Sequence, residues 1–355
     1  MKKIWQFSLS LSFVFSFAGK AQTLDSLKLD LSGFIESYYA YDFNKPSDNQ
    51  KLPFMYNYNR NNEFNINNAL LRVKASFENV YASLALHAGT YVEDNYAAEE
   101  IKLISEAIVG IYLDDKRKHA IEMGIMPSYI GFETAISASN LTLTRSMLAE
   151  NSPYFMTGIK YQFQPSEKWM FATLLTNGWQ RIAKPDKSAL LAFGSQITFK
   201  PTENAALNWS TFIGDEPTEL GLRTRYFSNL YFDYQWNEHW RTIAGFDVGM
   251  QKSSVGDNYE DWLSPVFIAQ YAFNSKWQTA FRTEYYQDEN NVIINVNDMA
   301  FKTFGNSLNV DFLPIKKVKI RIEARWLKSQ EPIFIRDNQL VENDLFITTS
   351  MSFEF

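Results

Sequence analysis

The 355-residue sequence contains no cysteine. It therefore has no disulfide framework, no thiolate metal site and no cysteine nucleophile. Only three histidines occur, at 87, 119 and 239, and they are not clustered as a metal site would need. Positive charge is also short: 34 Lys and Arg against 40 Asp and Glu leave a net charge of −6, which argues against a nucleic-acid binder. Beyond the N-terminus no stretch approaches the ~18 consecutive apolar residues of a membrane-spanning helix. Aromatic residues, by contrast, are abundant, with 29 Phe, 19 Tyr and 9 Trp, which excludes a disordered chain. Yet the mean hydropathy is only −0.28. A chain rich in aromatic rings and hydrophilic on average has to keep the two characters apart in space.

The ends of the sequence give the first explanation. Lys2 and Lys3 precede an apolar stretch over 4–18, and Gly19 and Ala21 supply the small residues of a cleavage site. This is the pattern of a secretory signal peptide at 1–21, with the exported chain at 22–355. No cysteine follows the cleavage site, so the pattern is not that of a lipoprotein. At the other end Leu345, Ile347, Thr349, Met351, Phe353 and Phe355 share one face of a strand, and Thr348, Ser350, Ser352 and Glu354 share the other. An amphipathic strand ending on an aromatic suits the last strand of an outer-membrane barrel, recognised by barrel-assembly machinery through Phe355.

The interior repeats the same period of two. Val318, Ile320, Ile322, Ala324 and Trp326 alternate with Lys319, Arg321, Glu323 and Arg325; Trp240, Thr242, Ala244, Phe246, Val248 and Met250 alternate with Arg241, Gly245, Asp247 and Gln251. Connections come in two sizes that alternate along the chain. Short ones fall at 78–79, 114–118, 165–168, 201–204, 237–239, 274–276 and 314–317. Long ones fall at 44–58, 93–102, 127–153, 180–187, 215–220, 252–260, 288–297 and 328–344. Ten of the 11 prolines lie in or beside them, as expected of residues that cannot donate to a ladder. Seven short and eight long connections separate sixteen strands, or fourteen if two weak ones merge. The expected fold is thus all-β: a transmembrane antiparallel up-and-down β-barrel with periplasmic turns and extracellular loops. Trp169, Trp236, Trp240 and Trp277 beside short turns, and Tyr91, Tyr154, Trp179, Trp262 and Trp326 beside long loops, are expected to form two interfacial girdles.

A sixteen-strand barrel is too wide for side chains alone to fill and leaves an aqueous channel. The polar faces assign Arg72, Lys74, Lys160, Lys200, Arg223, Arg225, Arg241, Arg282, Lys319, Arg321 and Arg325 to the wall, against Glu36, Glu106, Glu122, Asp233, Asp247, Glu284, Glu323 and Glu354. Two readings stand: a basic pore that favours anionic solutes, or charge pairs that hold the wall without selecting. The third long connection, 127–153, is too long for a plain loop and, with Ile130, Phe132, Ile136, Leu141, Leu143, Met147 and Leu148, too apolar to lie in water. Folded into the lumen it would narrow the pore and bring Glu133, Arg145 and Glu150 across from the basic wall, with 142–150 as a short helix. A loop packed over the mouth, or against a neighbouring subunit, is the competing reading.

Several stretches resemble a known family. They are Ser-Gly-Phe-Ile-Glu-Ser-Tyr-Tyr-Ala-Tyr-Asp-Phe-Asn-Lys-Pro at 32–46, Gly-Ile-Met-Pro-Ser-Tyr-Ile-Gly-Phe-Glu at 124–133, Leu-Thr-Arg-Ser-Met-Leu-Ala-Glu-Asn-Ser-Pro-Tyr at 143–154, and Asn-Gly-Trp-Gln-Arg at 177–181. Together they resemble the OmpL-like β-barrel porins of Bacteroidetes, over most of the exported chain. The resemblance implies an outer-membrane porin that passes small hydrophilic solutes by diffusion, without enzymatic activity or cofactor. It lends little about the solute.

Rival readings are weaker. A phospholipase-like barrel hydrolase needs a Ser–His pair with an orienting group, and no Gly-x-Ser-x-Gly elbow occurs. A non-conducting barrel that anchors surface interactions would need a loop long enough to fold by itself. The pairs Glu93–Asp94 and Glu99–Glu100 read as a solvated acidic rim rather than a divalent-ion site that bridges lipopolysaccharide. Expected surroundings are outer-membrane lipid and lipopolysaccharide, with a homotrimer as one assembly such a barrel can form.

Overall fold

The computed structural model describes residues 27–355 except 48, 186–188, 219–220 and 254–255. The signal-peptide reading lies outside the described residues. The barrel strands are β1 (Lys28–Asp42), β2 (Phe64–Phe77), β3 (Val80–Ala88), β4 (Ile104–Tyr112), β5 (His119–Pro127), β6 (Phe155–Phe163), β7 (Trp169–Thr176) and β8 (Ala192–Thr202). They continue as β9 (Ala205–Thr218), β10 (Gly221–Gln235), β11 (Trp240–Lys252), β12 (Tyr259–Ala272), β13 (Trp277–Asp288), β14 (Phe301–Ile315) and β15 (Val318–Ser329). A hairpin of β16 (Phe334–Arg336) and β17 (Gln339–Val341) stands in the last connection, and β18 (Asn343–Glu354) completes the wall. Each strand pairs with its neighbours in sequence, and β18 closes on β1 with Phe34 opposite Glu354 and Asp42 opposite Phe346. The result is a closed antiparallel barrel of sixteen strands, so no unpaired sheet edge faces lipid.

The alternation in the sequence becomes the two faces of this wall. Ile320, Ile322 and Trp326 are exposed on the outside, while Arg321, Glu323 and Arg325 between them are buried inside. The closing strand behaves likewise, with Met351 and Phe353 outward and Thr348, Ser350 and Ser352 inward. Short and long connections gather at opposite ends, with Lys28 and Glu354 at the short-turn end. One expected loop is not a loop. Over 215–218 the chain stays in strand, β9 running to Thr218 and β10 opening at Gly221. Asp215, Glu216 and Pro217 pair across with Thr224, Arg223 and Leu222, and Thr224 Oγ1 donates to Asp215 Oδ1 at 3.1 Å. Polar residues that look like a turn are satisfied by a cross-strand partner.

The girdle at the short-turn end is as expected: Trp169, Trp236, Trp240 and Trp277 are all exposed. The one at the long-loop end is not. Only Trp326 of the five residues faces outward; Tyr91, Tyr154 and Trp262 are buried, and Trp179 packs edge-on against Phe212 and Phe227. The reason is that both strand faces are apolar there, because long connections fold over the inner one. Leu52, Phe54 and Met55 from one connection, Tyr129, Ile130 and Met147 from another, Ile294 and Val296 from a third, and Ile333 and Phe334 from the last join inward-facing Phe212, Phe227, Trp262, Leu327 and Phe346 in one cluster. Loop apolar surface is thereby removed from water at a position where the wall alone would leave a void.

The lipid-facing assignment of the outer surface makes a depth-dependent prediction. Leu308, exposed at the middle of β14, replaced by Arg should destabilise the folded barrel by about 2–4 kcal/mol; Ile315→Arg at the short-turn edge should cost about 0–1 kcal/mol. Urea titration of the barrel folded into lipid vesicles measures both, and equal costs would contradict the assignment.

Candidate functional site

The inside of the wall over β13, β14 and β15 carries a polar cluster that binds main chain. Arg282 Nη1 donates to Thr144 O at 2.6 Å and to Thr142 Oγ1 at 3.0 Å. Arg321 Nη1 donates to Ser137 O at 2.7 Å, and its Nη2 reaches the carbonyls of Asn140 and Leu141 at 3.2 Å. Arg325 Nη1 donates to Arg145 O at 2.8 Å. Carboxylates beside them take the N–H groups: Glu323 Oε2 accepts from Thr144 N and Glu284 Oε2 from Met147 N, both at 2.6 Å. Asn309 Oδ1 accepts from Leu143 N at 3.1 Å, and Lys319 Nζ donates to Ala138 O at 2.9 Å. Many backbone groups of residues 137–147 are thus satisfied by inward-facing side chains of the wall, and others by the segment itself, as buried backbone requires.

The same cations are paired among themselves. Arg282 meets Glu284 at 3.1 Å and Glu323 at 2.8 Å, Arg321 meets Asp311 at 2.7 Å, and Arg325 meets Glu284 at 2.6 Å. All six residues are at most 2 % exposed. Arg282, Arg321 and Arg325 are therefore inward-facing, as their strand positions dictate, and covered by the segment they bind.

Two glycines seat the apolar side of the segment. A Cβ on Gly245 of β11 would lie 2.6 Å from the Phe132 ring, and one on Gly194 of β8 would lie 2.2 Å from the Tyr129 hydroxyl. Both are inward positions, so the missing side chains are the sockets for the two rings. The helix expected over 142–150 is shorter, α1 (Met147–Glu150), its start fixed by Ser146, whose hydroxyl accepts from Ala149 N at 3.2 Å.

Of the segment's own charges, Glu133 Oε2 accepts from Ser146 N at 3.0 Å and from the Ser146 hydroxyl. Burial pushes the Glu133 carboxyl up, with Arg282, Ser146 and Arg145 pulling the other way. Arg145 donates to Ala149 O at 2.7 Å and stacks 3.6 Å over the Tyr154 ring. Glu150 accepts from Tyr56 N, Asn57 Nδ2 and the Tyr154 hydroxyl at 2.6–3.0 Å, tying in the first long connection. Glu36 of β1 does the same from the wall, accepting from Tyr58 and Ser137 hydroxyls at 2.7 and 2.6 Å. In that connection burial pushes the Lys51 amine down to about 8, against the pull of Asp42 and Asp344.

The remaining residues predicted for the pore are spread around the wall. Arg72 on β2 pairs with Glu106 at 3.2 Å. Lys74, two residues on, faces a hollow near the short turns with Asp30 and Glu78, and among the described residues it has no ion pair. Arg225 on β10 donates to Gln251 Oε1 at 2.7 and 3.0 Å and lies over Trp179. Arg223 donates to Leu222 O at 3.1 Å. The structure thus brings Glu133, Arg145, Glu150, Arg282, Arg321 and Arg325 together, sets Arg72 beside Glu133 and Arg145 around one cavity, and leaves Lys74, Arg223 and Arg225 apart. Sequence reasoning missed the inward aromatics Phe212, Phe227 and Phe346; the signal is that the period of two blurs there, as in Leu345-Phe346-Ile347.

Between the segment and the opposite wall lies a cavity of about 350 Å³, faced by Asn68 and Arg72 of β2, Tyr231 of β10, and Phe132, Glu133 and Arg145 of the segment. The histidines are elsewhere: His87 Nε2 bonds Lys102 O, His119 Nδ1 the Tyr161 hydroxyl, and His239 Nδ1 Ala272 O. Three of the four acidic residues of the rim are engaged, Asp94 and Glu93 by Arg60, and Glu99 by Ile182 N.

With the geometry in place, comparison with known proteins becomes informative. A family model described as "Putative beta-barrel porin-2, OmpL-like" matches residues 28–355. A search among curated proteins finds no matching relative. Among solved structures the chain is similar to the outer membrane channel DcaP of Acinetobacter baumannii, with TM-score 0.66 and 10 % identity over 94 % of this chain and 99 % of that one. It is similar to an anion-selective porin from Comamonas acidovorans, with TM-score 0.63 and 9 % identity over 93 % and 100 %. It is also similar to the trimer form of OmpT, an outer membrane protein of Vibrio cholerae, with TM-score 0.63 and 8 % identity over 93 % and 100 %. At these identities the likeness is one of fold.

The anchoring cluster predicts the effect of removing one carboxylate. Glu284→Ala leaves Arg282 with one partner and Arg325 without its ion pair, and should cost about 3–5 kcal/mol of stability. Hydrogen exchange on the folded barrel should show the Thr144 and Met147 amides losing protection. Gly245→Val should loosen the same segment from its other side while leaving the ion pairs in place.

Proposed function

The chain belongs to the family described as "Putative beta-barrel porin-2, OmpL-like", and from that premise we propose that it is an outer-membrane channel giving passive diffusion to small hydrophilic solutes. One observation carries the reading: a closed sixteen-strand wall whose inner face is polar, with a cavity of about 350 Å³ left between that wall and the inward segment. In this reading residues 128–154 form the constriction, and Glu133, Arg145 and Glu150 belong to it. The acyl-transfer alternative has little support, since among the described residues no histidine bonds a serine.

Selectivity in this reading comes more from size and hydrogen bonding than from net field. The wall cations Arg72, Lys160, Arg241, Arg282, Arg321 and Arg325 each have a carboxylate partner within 3.3 Å. A paired charge adds little to the potential along a pore. Lys74 and Lys200, both near the short turns, have no ion pair among the described residues, and we assign a weak anion preference to them. The surroundings of the channel are taken to be outer-membrane lipid and lipopolysaccharide. Assembly machinery engages β18 through Phe355, and the working assembly is a homotrimer.

Planar-bilayer recording of the purified protein tests the proposal. It should insert with stepwise conductance, and in a tenfold KCl gradient the reversal potential should lean modestly toward chloride. The double variant Lys74→Ala, Lys200→Ala should lose that lean. A protein that inserts as a heat-modifiable barrel and never conducts refutes the channel.

A further inference from the structure

The cavity beside the inward segment has a chemistry that names a class of solute. Asn68 is 1 % exposed and lines it, yet among the described residues neither its amide nitrogen nor its amide oxygen has a hydrogen-bond partner. Three more lining residues are incompletely bonded: Arg72 and Arg145 at Nε, and Glu133 at Oε1. Buried polar atoms are bonded in the great majority of native proteins, and each exception asks for an unseen partner. Here four such residues surround one cavity. Their orphan atoms are of both kinds, donors on Arg72, Arg145 and Asn68, acceptors on Asn68 and Glu133.

The rest of the lining mixes aromatic rings with aliphatic residues such as Leu70, Ile130 and Ile136 and the hydroxyls of Ser105, Ser128 and Thr134. Phe132 and Tyr231 stand edge to face with ring centroids 5.5 Å apart, and Tyr91 and Tyr154 lie 5.2 Å apart. An anionic solute would face Glu133, a cationic one would face two guanidinium groups, and an apolar one would leave the orphan atoms without partners. A neutral solute bearing many hydroxyls meets every requirement. Each hydroxyl both donates and accepts, and the C–H faces of a sugar ring lie well on aromatic rings. The volume falls within the range of ordinary small-molecule sites.

Resting on the channel reading and giving it a solute class, we infer that this cavity is a binding subsite for neutral saccharides of one or two rings. Asn68, Arg72, Arg145 and Glu133 supply the hydrogen bonds and Phe132 and Tyr231 the ring contacts. A channel holding such a site passes its solute faster at low concentration than a plain hole does, and saturates as the site fills.

The test is ion-current recording of the intact barrel in a planar bilayer, with glucose or maltose added from zero to tens of millimolar. Saturable, concentration-dependent interruption of the current by a sugar is the expected result, with no such block by succinate or glycine betaine. Asn68→Leu and Phe132→Ala should each raise the half-blocking concentration tenfold or more. Heat-modifiable migration shows that each variant has folded, and Lys316→Ala in an exposed short turn serves as the matched control. A protein that conducts but shows no saturable block by either sugar overturns the inference and leaves the channel standing. Tighter block by succinate or betaine, or block unchanged in both cavity variants, overturns it as well. Absence of any current instead overturns the channel reading itself.

Discussion

A stretch of backbone packed against the inner wall of a barrel has no sheet neighbour and is shielded from water, so its polar groups need partners from the wall, and that requirement organises this molecule. The wall meets it with side chains. Arg282, Arg321 and Arg325 give N–H groups to the carbonyls of residues 137, 140, 141, 144 and 145, and Glu284 and Glu323 accept the amides of 147 and 144. Guanidinium groups suit the task because each presents several donors in a fixed plane. Their charges need carboxylates close by, and Asp311, Glu284 and Glu323 supply them from the same strands. Buried pairs of this kind are weak contributors to net stability, but losing one partner is costly. The cluster therefore specifies where the segment lies more than how stable the barrel is.

From that placement the rest of the interior follows. Once residues 137–147 are fixed, Tyr129 and Phe132 reach the bare inner face at Gly194 and Gly245. Glu150 holds the first long connection through Tyr56 and Asn57, and the apolar side chains of that connection join the cluster at the long-loop end. What stays open is the space on the far side of the segment, faced by β2 and β10. The charges that looked in sequence like a basic lining are mostly paired with carboxylates of the wall.

The wall was legible in the sequence because it depends on local order alone. Period two over 318–326 and the short turns at 78–79 and 237–239 each reflect neighbours in the chain, so strand count and facing could be read from one line of residues. Asp215, Glu216 and Pro217 misled because their partners lie across a hairpin that polarity alone made look like a loop. The inward position of Trp262, Tyr91 and Tyr154 was not legible for a stronger reason. Trp262 sits in β12 under loops far away in sequence, and Tyr91 and Tyr154 lie in the connections themselves, which fold inward against each other. Glu133, Arg145 and Glu150 were identifiable as unusual charges in an apolar connection, but their partners Ser146, Tyr154 and Asn57 were set only by the fold.

The claim at the centre of this account is that the inward segment limits passage through an otherwise open barrel. Replacing residues 134–146 by a short Gly-Ser link, with folding checked by heat-modifiable migration, removes the segment from its anchors while leaving the sixteen strands intact. Unitary conductance in a planar bilayer should then rise several-fold over that of the unmodified chain. A folded variant with the same unitary conductance as the unmodified chain would contradict the account.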